Sequence, residues 1–553
     1  MATELSAVHE EVQIFLNALQ VACAGGNAAE LSNLHNVQYP SLGRKFYSET
    51  SWPSPEAVAP LLPAEGAMVL YRDLYFRHVH TVLDPRGDLR ISHRFASWEA
   101  FNALFELAAR DPNFAVPSEW IYETVGQFVH QFQRFCEYRN KVATLSEIEK
   151  ELMDDAPEVW GCYAVIQCLV DVAEKSGVRA ILDAVAAKAT AEEPTPAQAL
   201  TTNQMLGYFA IGGLARLQLL LGDYHSTLQV LDALHLQETG NFSGIRACHV
   251  MLRYVLALAY LLSHRYAEAI IAGSALVLDL ERQPRGETRP EFVSLKATST
   301  VYLLAVAVSQ CPGSEATLDP RVKNRLKTNS QVRAFRDELR VGNVAAFRNI
   351  YRRFAGVPIV PVPMTEAAEA VADVAVDKIT GRPIAAVVDA SSAPSLQQIH
   401  FAMFVESCAP LAPLLSLHSY LNLYRTIPLR KLALVASSDS AREEEATVDT
   451  LRAQLTCLKF KTQQENAERA RFANDPRFQL YIERLRMRMQ VVPDGLGYYL
   501  DGVRLALFLC VSLSRDDDIV STVVLALFCA GPTKPKPCSA AGVVTADTIR
   551  APV

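Results

Sequence analysis

The chain has 553 residues, half of them hydrophobic, with a net charge of −7 and an isoelectric point near 6.0. That length allows roughly two to four domains with sizeable cores, and the acidic balance excludes a protein whose main business is coating nucleic acid. The eleven cysteines form no C-x-x-C pair and read as reduced, mostly buried thiols of a cytosolic or nuclear protein. The acidic, polar start MATELSAVHEEV fits neither a secretory nor a mitochondrial targeting segment.

Residues 1–65 hold one helical pattern, with Val12, Phe15 and Leu19 on a face, and close on the Pro-rich stretch WPSPEAVAPLLP, which reads as a linker. A helical region is expected over 66–200. In it, LYRDLYFRHVH carries His78 and His80, candidate metal ligands with His93. No acidic or cysteine ligand accompanies them at metal-site spacing, so helix-surface histidines are the favoured reading. In VPSEWIYETVGQFVHQFQRFCEYR, Ile121, Val125, Phe128, Phe132 and Phe135 step by 4, 3, 4 and 3, a long amphipathic helix with Ser118 as its N-cap. The aromatic stripe could stack RNA bases. At helical spacing and without interleaved basic residues, core packing is preferred. Residues 145–185 are helical around VWGCYAVIQCLVDVAEK, and TAEEPTPAQAL is a loop.

Repeats are expected over 201–363. Leu206, Phe209, Leu217 and Leu220 share one helix face, and Gly212, Gly213 and Ala215 in the same helix leave room for a close neighbour. Gly222-Asp223 breaks the pattern before a second helix with Leu228, Leu231 and Leu234. The stretch from Val250 to Leu280 repeats the design, and Tyr224 and Tyr266 take the same place 42 residues apart. That period exceeds the roughly 34 residues of tetratricopeptide hairpins but stays within the range of stacked helical repeats, which build scaffolds more often than active sites. An apolar helix from Phe292 to Gln310 stops at Cys311-Pro312-Gly313. Two short helices follow, one with Val332, Phe335 and Leu339 on a face, the next with Phe347, Ile350 and Phe354, joined through Gly342 and Asn343.

Residues 364–395 are Ala/Val-rich, acidic and non-aromatic, and read as a low-complexity insertion or mobile linker. A compact module is expected over 396–503. PSLQQIHFAMFVES and LLSLHSYLNLYRTI are helices, Pro428 opens PLRKLALVA at the first helical position, and Ser440 with Glu443 caps a fourth helix through Lys461. Arg484, Arg486 and Arg488 alternate with apolar residues as a strand, Pro493-Asp494-Gly495 turns, and LGYYLDGV returns. Helices followed by such a hairpin make a winged helix. Arg452, Lys459, Lys461, Arg484, Arg486 and Arg488 are the candidate partner or RNA surface. Glu443, Glu444, Glu445 and Asp449 on the fourth helix would repel phosphates, which favours a partner-facing surface. Residues 504–553 read as a divergent, largely disordered tail whose apolar runs are well short of the ~20 residues of a membrane helix.

The chain contains no Walker A loop, G-x-G-x-x-G, H-E-x-x-H or G-x-S-x-G; in Gly240-Asn241-Phe242-Ser243-Gly244 the serine is one place late. The expectation is a mainly α protein of stacked helical hairpins followed by a winged helix, with no catalytic, cofactor or metal residues.

Seven stretches carry a resemblance: LYFRH at Leu74, EWIYETVGQFVHQFQRFCEYR at Glu119, MLGYFAIGGLARLQLLLGDY at Met205, AYLLSHRYAEAI at Ala259, PSLQQIHFAMF at Pro394, SYLNLYRTIPLRKLA at Ser419 and LTCLKFK at Leu455. The ordered set covers roughly residues 70–500. It resembles the L-subunit family of eukaryotic translation initiation factor 3, within the PCI architecture shared with the proteasome lid and the COP9 signalosome. The resemblance implies a PCI domain over about 300–503 and a non-catalytic, cytoplasmic scaffold subunit without cofactor or membrane contact. It implies sister subunits, notably K and E, as partners, in a complex that binds the small ribosomal subunit and helps recruit initiator tRNA and mRNA. A lid or signalosome subunit is the alternative within the same architecture. The insertion at 364–395, the longer lead-in to the 440–461 helix and everything after about Val503 depart from the family pattern.

Overall fold

The computed structural model describes residues 8–141, 145–190, 200–236, 242–281, 291–311, 318–341, 344–356, 358–361, 396–408, 426–429, 431–432, 451–457, 459–460, 508–510 and 522–526. The chain divides into two compact units, residues 1–411 and 412–553.

The first unit is helical. Its opening helix α1 (Glu10–Ala24) buries Val12, Phe15, Leu16 and Leu19 on one stripe. Short helices α2 (Ala28–Asn33) and α3 (Tyr39–Phe46) follow, joined by a π-turn at Leu34–Gln38. The Pro-rich stretch is wall rather than linker. Ser54 Oγ accepts from the Ala57 amide at 3.3 Å, and Pro55, with its φ preset for a first helical residue, starts α4 (Pro55–Val58). The turn holds Trp52, 2% exposed, against Phe15, Tyr39 and Tyr47 at ring-centre distances of 5.0–5.6 Å. Val58 and Leu62 are buried alongside.

Helices α5 (Glu65–Leu83), α6 (Ile91–Arg110) and α7 (Ser118–Arg139) come next. Ser118 is the first helical residue of α7 and not its cap; Pro117 takes the cap position without a side-chain hydrogen bond. The aromatic stripe of α7 is core: Phe128 packs within 5.3–5.8 Å of Trp98, Phe101, Phe105 and Trp160. Helices α8 (Glu147–Asp155), α9 (Cys162–Lys175) and α10 (Val178–Thr190) lead to the hairpins.

The first hairpin is α11 (Thr202–Leu221) with α12 (Tyr224–Asp232), the second α13 (Arg246–Leu262) with α14 (Tyr266–Glu281). A capping box starts α11: Thr201 Oγ1 accepts from the Gln204 amide, and Gln204 Oε1 from the Thr201 amide. Gly222 ends it at φ +89°, which only glycine adopts readily. Tyr224 and Tyr266 are each the first residue of a second helix, as the 42-residue period requires. The small residues of α11 mark its closest approaches. A Cβ on Gly212 would lie 2.9 Å from Leu252 Cδ2 of α13, and one on Gly213 2.8 Å from Val125 Cγ1 of α7. Leu217 is fully buried and Leu220 half-buried.

Helix α15 (Glu291–Gln310) packs on α13 and α14, and α16 (Pro320–Thr328), α17 (Ser330–Val341) and α18 (Val344–Phe354) complete the row. By length and composition, α11 and most of α15 could cross a bilayer, but both are mainly buried among other helices.

From the last turn of α18 onward the backbone is tied back across the row. Ser299 Oγ of α15 donates to the Arg353 carbonyl at 3.0 Å, and Tyr254 Oη of α13 donates to that of Phe354. The Ile359 amide donates to the Leu220 carbonyl of α11 at 2.9 Å, and Asn140 Nδ2, just past α7, to the Val360 carbonyl at 3.1 Å. Arg353, Phe354, Ile359 and Val360 therefore bond to α15, α13, α11 and the end of α7 in succession. The last helix of the unit, α19 (Leu396–Cys408), packs on α18 through Tyr351, Phe354 and Phe404.

In the second unit, β1 (Thr426–Pro428), β2 (Phe508–Cys510) and β3 (Thr522–Ala526) form an antiparallel sheet of order β1-β3-β2, with Ile427 opposite Val523 and Leu509 opposite Leu525. Two of its strands come from the apolar runs expected in the tail. Pro428 closes β1 on an edge strand of the sheet, a place that tolerates proline, and helical backbone begins one residue later at Leu429. Residues 451–457 are helical, with Leu451 and Leu455 buried. The hairpin at 484–503, the insertion at 364–395, the cap at Ser440, and Gly342 with Asn343 lie outside the described residues.

Candidate partner-binding surfaces

Most buried charge in the first unit locks helices together. Asp73 Oδ2 of α5 accepts from Arg77 Nη2 at 2.9 Å and Trp120 Nε1 at 2.8 Å. Arg77 Nη1 also donates to Glu123 Oε2 at 2.6 Å and lies 2.8 Å from His35 Nε2, whose ring stacks on Trp120 at 4.6 Å. The π-turn, α5 and α7 are thereby pinned by one network. A second network centres on Asp84, which accepts from Arg94 at 2.8 Å and Arg134 at 2.6 Å. Burial raises the Asp84 pKa, but these hydrogen bonds outweigh it and leave the carboxyl below its usual range. Trp160 Nε1 donates to the Arg94 carbonyl at 2.7 Å.

The histidines read as surface residues are not on the surface. His80 is 8% exposed, and burial drives its pKa down to about 3; His78 and His93 are half-buried and shifted down for the same reason. Helix α5 is enclosed by both α6 and the N-terminal elements, so even its polar positions turn inward. Among the described residues no three His, Cys, Asp or Glu side chains gather as a metal site.

Of the six candidate cations, the structure places two. Arg452 and Lys459 are half-buried on the helical residues that follow Leu451. Lys461, Arg484, Arg486 and Arg488 lie outside the described residues. Sequence reasoning passed over three cations of the first unit, Arg216 of α11, Lys296 of α15 and Arg353 of α18; burial and then the Arg216 charge lower the Lys296 pKa to about 8. Lys296 Nζ is 4.3 Å from the Tyr254 ring centre, and Arg353 Nη1 donates to Tyr302 Oη at 2.9 Å. Single cations within separate helical patterns carry no signal of what they face.

Large apolar side chains also face outward. Ile148 and Leu152 share a face of α8, at 70% and 42% exposure, and Tyr163 at the start of α9 is 79% exposed. The capping box of Ser146 and Glu149 holds α8 in helical form, so this face is presented by a fixed element.

The family described as RNA polymerase I-associated factor PAF67 matches residues 93–487. Eukaryotic translation initiation factor 3 subunit L of Aedes aegypti is 27% identical over 468 residues, covering 82% of both chains. The protein of the same name from Nematostella vectensis is 26% identical over 465 residues, covering 82% of this chain and 81% of its own. That of Mycosarcoma maydis is 30% identical over 335 residues, covering 58% and 48%. With most of its length matched and one name recurring among such distant relatives, the chain belongs to the PAF67 family, that of eukaryotic translation initiation factor 3 subunit L.

Proposed function

We propose that the chain is a non-catalytic, cytoplasmic scaffold subunit of the translation initiation factor 3 complex. Its winged-helix region would carry Arg452, Lys459, Lys461, Arg484, Arg486 and Arg488 as a partner-facing surface. The observation that carries the reading is the row of packed helical hairpins, α11 to α15. A row of this kind works by holding partners. The family name supports the complex, and the resemblance supports sister subunits K and E as partners and small-subunit attachment as the task. The outward apolar face of α8 and Tyr163 suits a protein neighbour. The net charge of −7 opposes direct contact with rRNA phosphates, so attachment runs through the assembled factor.

A density gradient of cytosol, with and without salt washing and probed for this chain and a sister subunit, tests the reading. Both should migrate with small ribosomal subunits and, after washing, together as a lighter complex. Migration alone, or with proteasome-lid subunits, would refute it. Reversing Arg484, Arg486 and Arg488 to Glu should weaken sister-subunit binding more than RNA binding by the isolated chain. Tight RNA binding with a steep salt dependence, abolished by that variant, would instead assign the surface to RNA.

A further inference from the structure

The net charge of −7 is not spread evenly along the chain. Residues 320–354, which span α16, α17 and α18, hold ten Lys or Arg and two Asp or Glu, a net +8 that leaves −15 for the rest. Helices α16 and α18 contain no acid at all. Each of the three packs on α15 and on the next in line, so they stand side by side. Their inner stripes are apolar: Val322 and Leu326 on α16, Val332, Phe335 and Leu339 on α17, and Ile350, Tyr351 and Phe354 on α18 are buried. The cations lie outside those stripes. Arg321, Arg325 and Lys327 on α16, Arg333 on α17, and Arg348 and Arg353 on α18 are exposed, while Lys323 and Arg336 are half-buried. Arg325 pairs with Glu281 of α14 at 2.8 Å, and Arg348 stacks over Phe401 at 5.3 Å. The two acids, Asp337 and Glu338, are consecutive on α17.

A face that serves only to stay in water mixes both signs, because like charges four residues apart oppose the helix that carries them. Helix α16 sets Arg321 against Arg325 and Lys323 against Lys327 at that spacing, with no acid between. A protein partner would be met by exposed apolar or aromatic anchors, which interfaces gather at their centres while shedding lysine. Among the described residues no large apolar side chain of α16, α17 or α18 is exposed, in contrast to Ile148, Leu152 and Tyr163 on α8 and α9. Eight of the ten cations are arginine, whose planar fork matches phosphate oxygens. We propose that the outer face of α16, α17 and α18 binds RNA, holding its phosphate backbone without reading its bases. The −15 elsewhere keeps this contact weak in the free chain, about the 10⁻⁴–10⁻⁶ M of non-specific binding at physiological salt. Such contact needs no sister subunit, so it holds whichever complex the chain joins.

The test compares the full chain with its Arg321→Gln, Lys327→Gln, Arg333→Gln variant. None of these three side chains bonds to another described residue, so the variant should melt with the parent. Binding of a labelled single-stranded RNA of mixed sequence at ~50 mM salt should weaken about ten- to a hundredfold, and the slope of log affinity against log salt should flatten by about 0.7 for each cation lost. Ultraviolet crosslinking of the tagged chain in cytosol should join RNA to peptides from residues 320–354. Sequencing that RNA distinguishes ribosomal from messenger, and either supports the contact. No measurable binding by the parent at ~50 mM salt, or equal affinity and slope in the variant, would overturn the proposal. So would crosslinks confined to other peptides. Loss of a co-purifying protein with RNA binding intact would assign the face to an acidic protein segment instead. If the triple variant fails to fold, Arg321→Gln alone and the crosslinked peptides of the parent decide. A parent preparation without sister subunits would refute the complex membership and leave the RNA measurements standing.

Discussion

Two glycines inside long helices should respond oppositely to the same substitution. Gly213 of α11 sits where α7 and α9 converge: an added Cβ would lie 2.8 Å from Val125 Cγ1, 3.7 Å from Val129 Cγ2 and 3.9 Å from Leu169 Cδ2. Val125 and Val129 are buried, and a β-branched side chain in a helix has one strongly preferred rotamer, so neither yields cheaply. Overpacking of this kind costs about 1–3 kcal/mol, whereas replacing glycine by alanine in a helix returns about 1 kcal/mol. Gly213→Ala should therefore lose roughly 0–2 kcal/mol. Gly126 of α7 has nothing within 4 Å of its notional Cβ, so Gly126→Ala keeps the whole gain of about 1 kcal/mol. At about 2–4 °C per kcal/mol for large domains, thermal unfolding followed by circular dichroism should separate the two variants by several degrees, Gly126→Ala above the parent. Adding Val125→Ala to Gly213→Ala should cost less than the single changes sum to, because the clash is relieved. If Gly213→Ala melts as high as Gly126→Ala, α11 and α7 are not in close approach.

Asp73→Ala should cost about 3 kcal/mol, since it removes the buried counter-charge of Arg77 and leaves only the half-exposed Glu123; a large drop in the urea midpoint checks this. Leu217→Asp should abolish soluble folded protein by burying an unpaired charge, while Leu220→Asp, at a half-buried position, should retain some; soluble yield compares them. His80 should make the fold acid-sensitive. Its pKa is about 3 when folded against 6.5 when unfolded, so the unfolded chain takes the proton first. Stability is then full above the unfolded value and falls as pH drops toward 3, by up to about 1.4 kcal/mol per pH unit. His80→Leu should flatten that limb in melting curves recorded from pH 5 to 7, and an unchanged slope would refute the assignment.

The helices were legible because their apolar residues recur at helical spacing and their ends are marked chemically, by Thr201 and Gln204 at one end of α11 and Gly222 at the other. The close approaches at Gly212 and Gly213 were legible too, as small residues in an otherwise bulky stripe. The Pro-rich stretch misled because each proline reads locally as a breaker, whereas Trp52 supplies enough apolar surface to draw the turn into the core. Ser118 misled because serine caps helices and also tolerates their first position, and the two differ by one residue of backbone. The return at Arg353, Phe354, Ile359 and Val360 left no periodic mark, since its hold is through backbone carbonyls and an amide, which nearly every residue has. The influence of Arg216 on Lys296 was hidden for a similar reason: the two come near only once α11 and α15 are packed.

That returning segment changes how the whole row must behave mechanically. Stacked hairpins that touch only their neighbours act like a spring, free to fray from either end and to stretch at any joint. Here Asn140 grips Val360 and Ser299 grips Arg353, with Tyr254 fastened to Phe354 and Leu220 to Ile359 between them. Pulling any two helices apart strains all four fastenings together, so opening becomes collective instead of local. Amide exchange across α7, α11, α13 and α15 should accordingly report one shared opening event, and partners seated at different points along the row would be held at a constant separation.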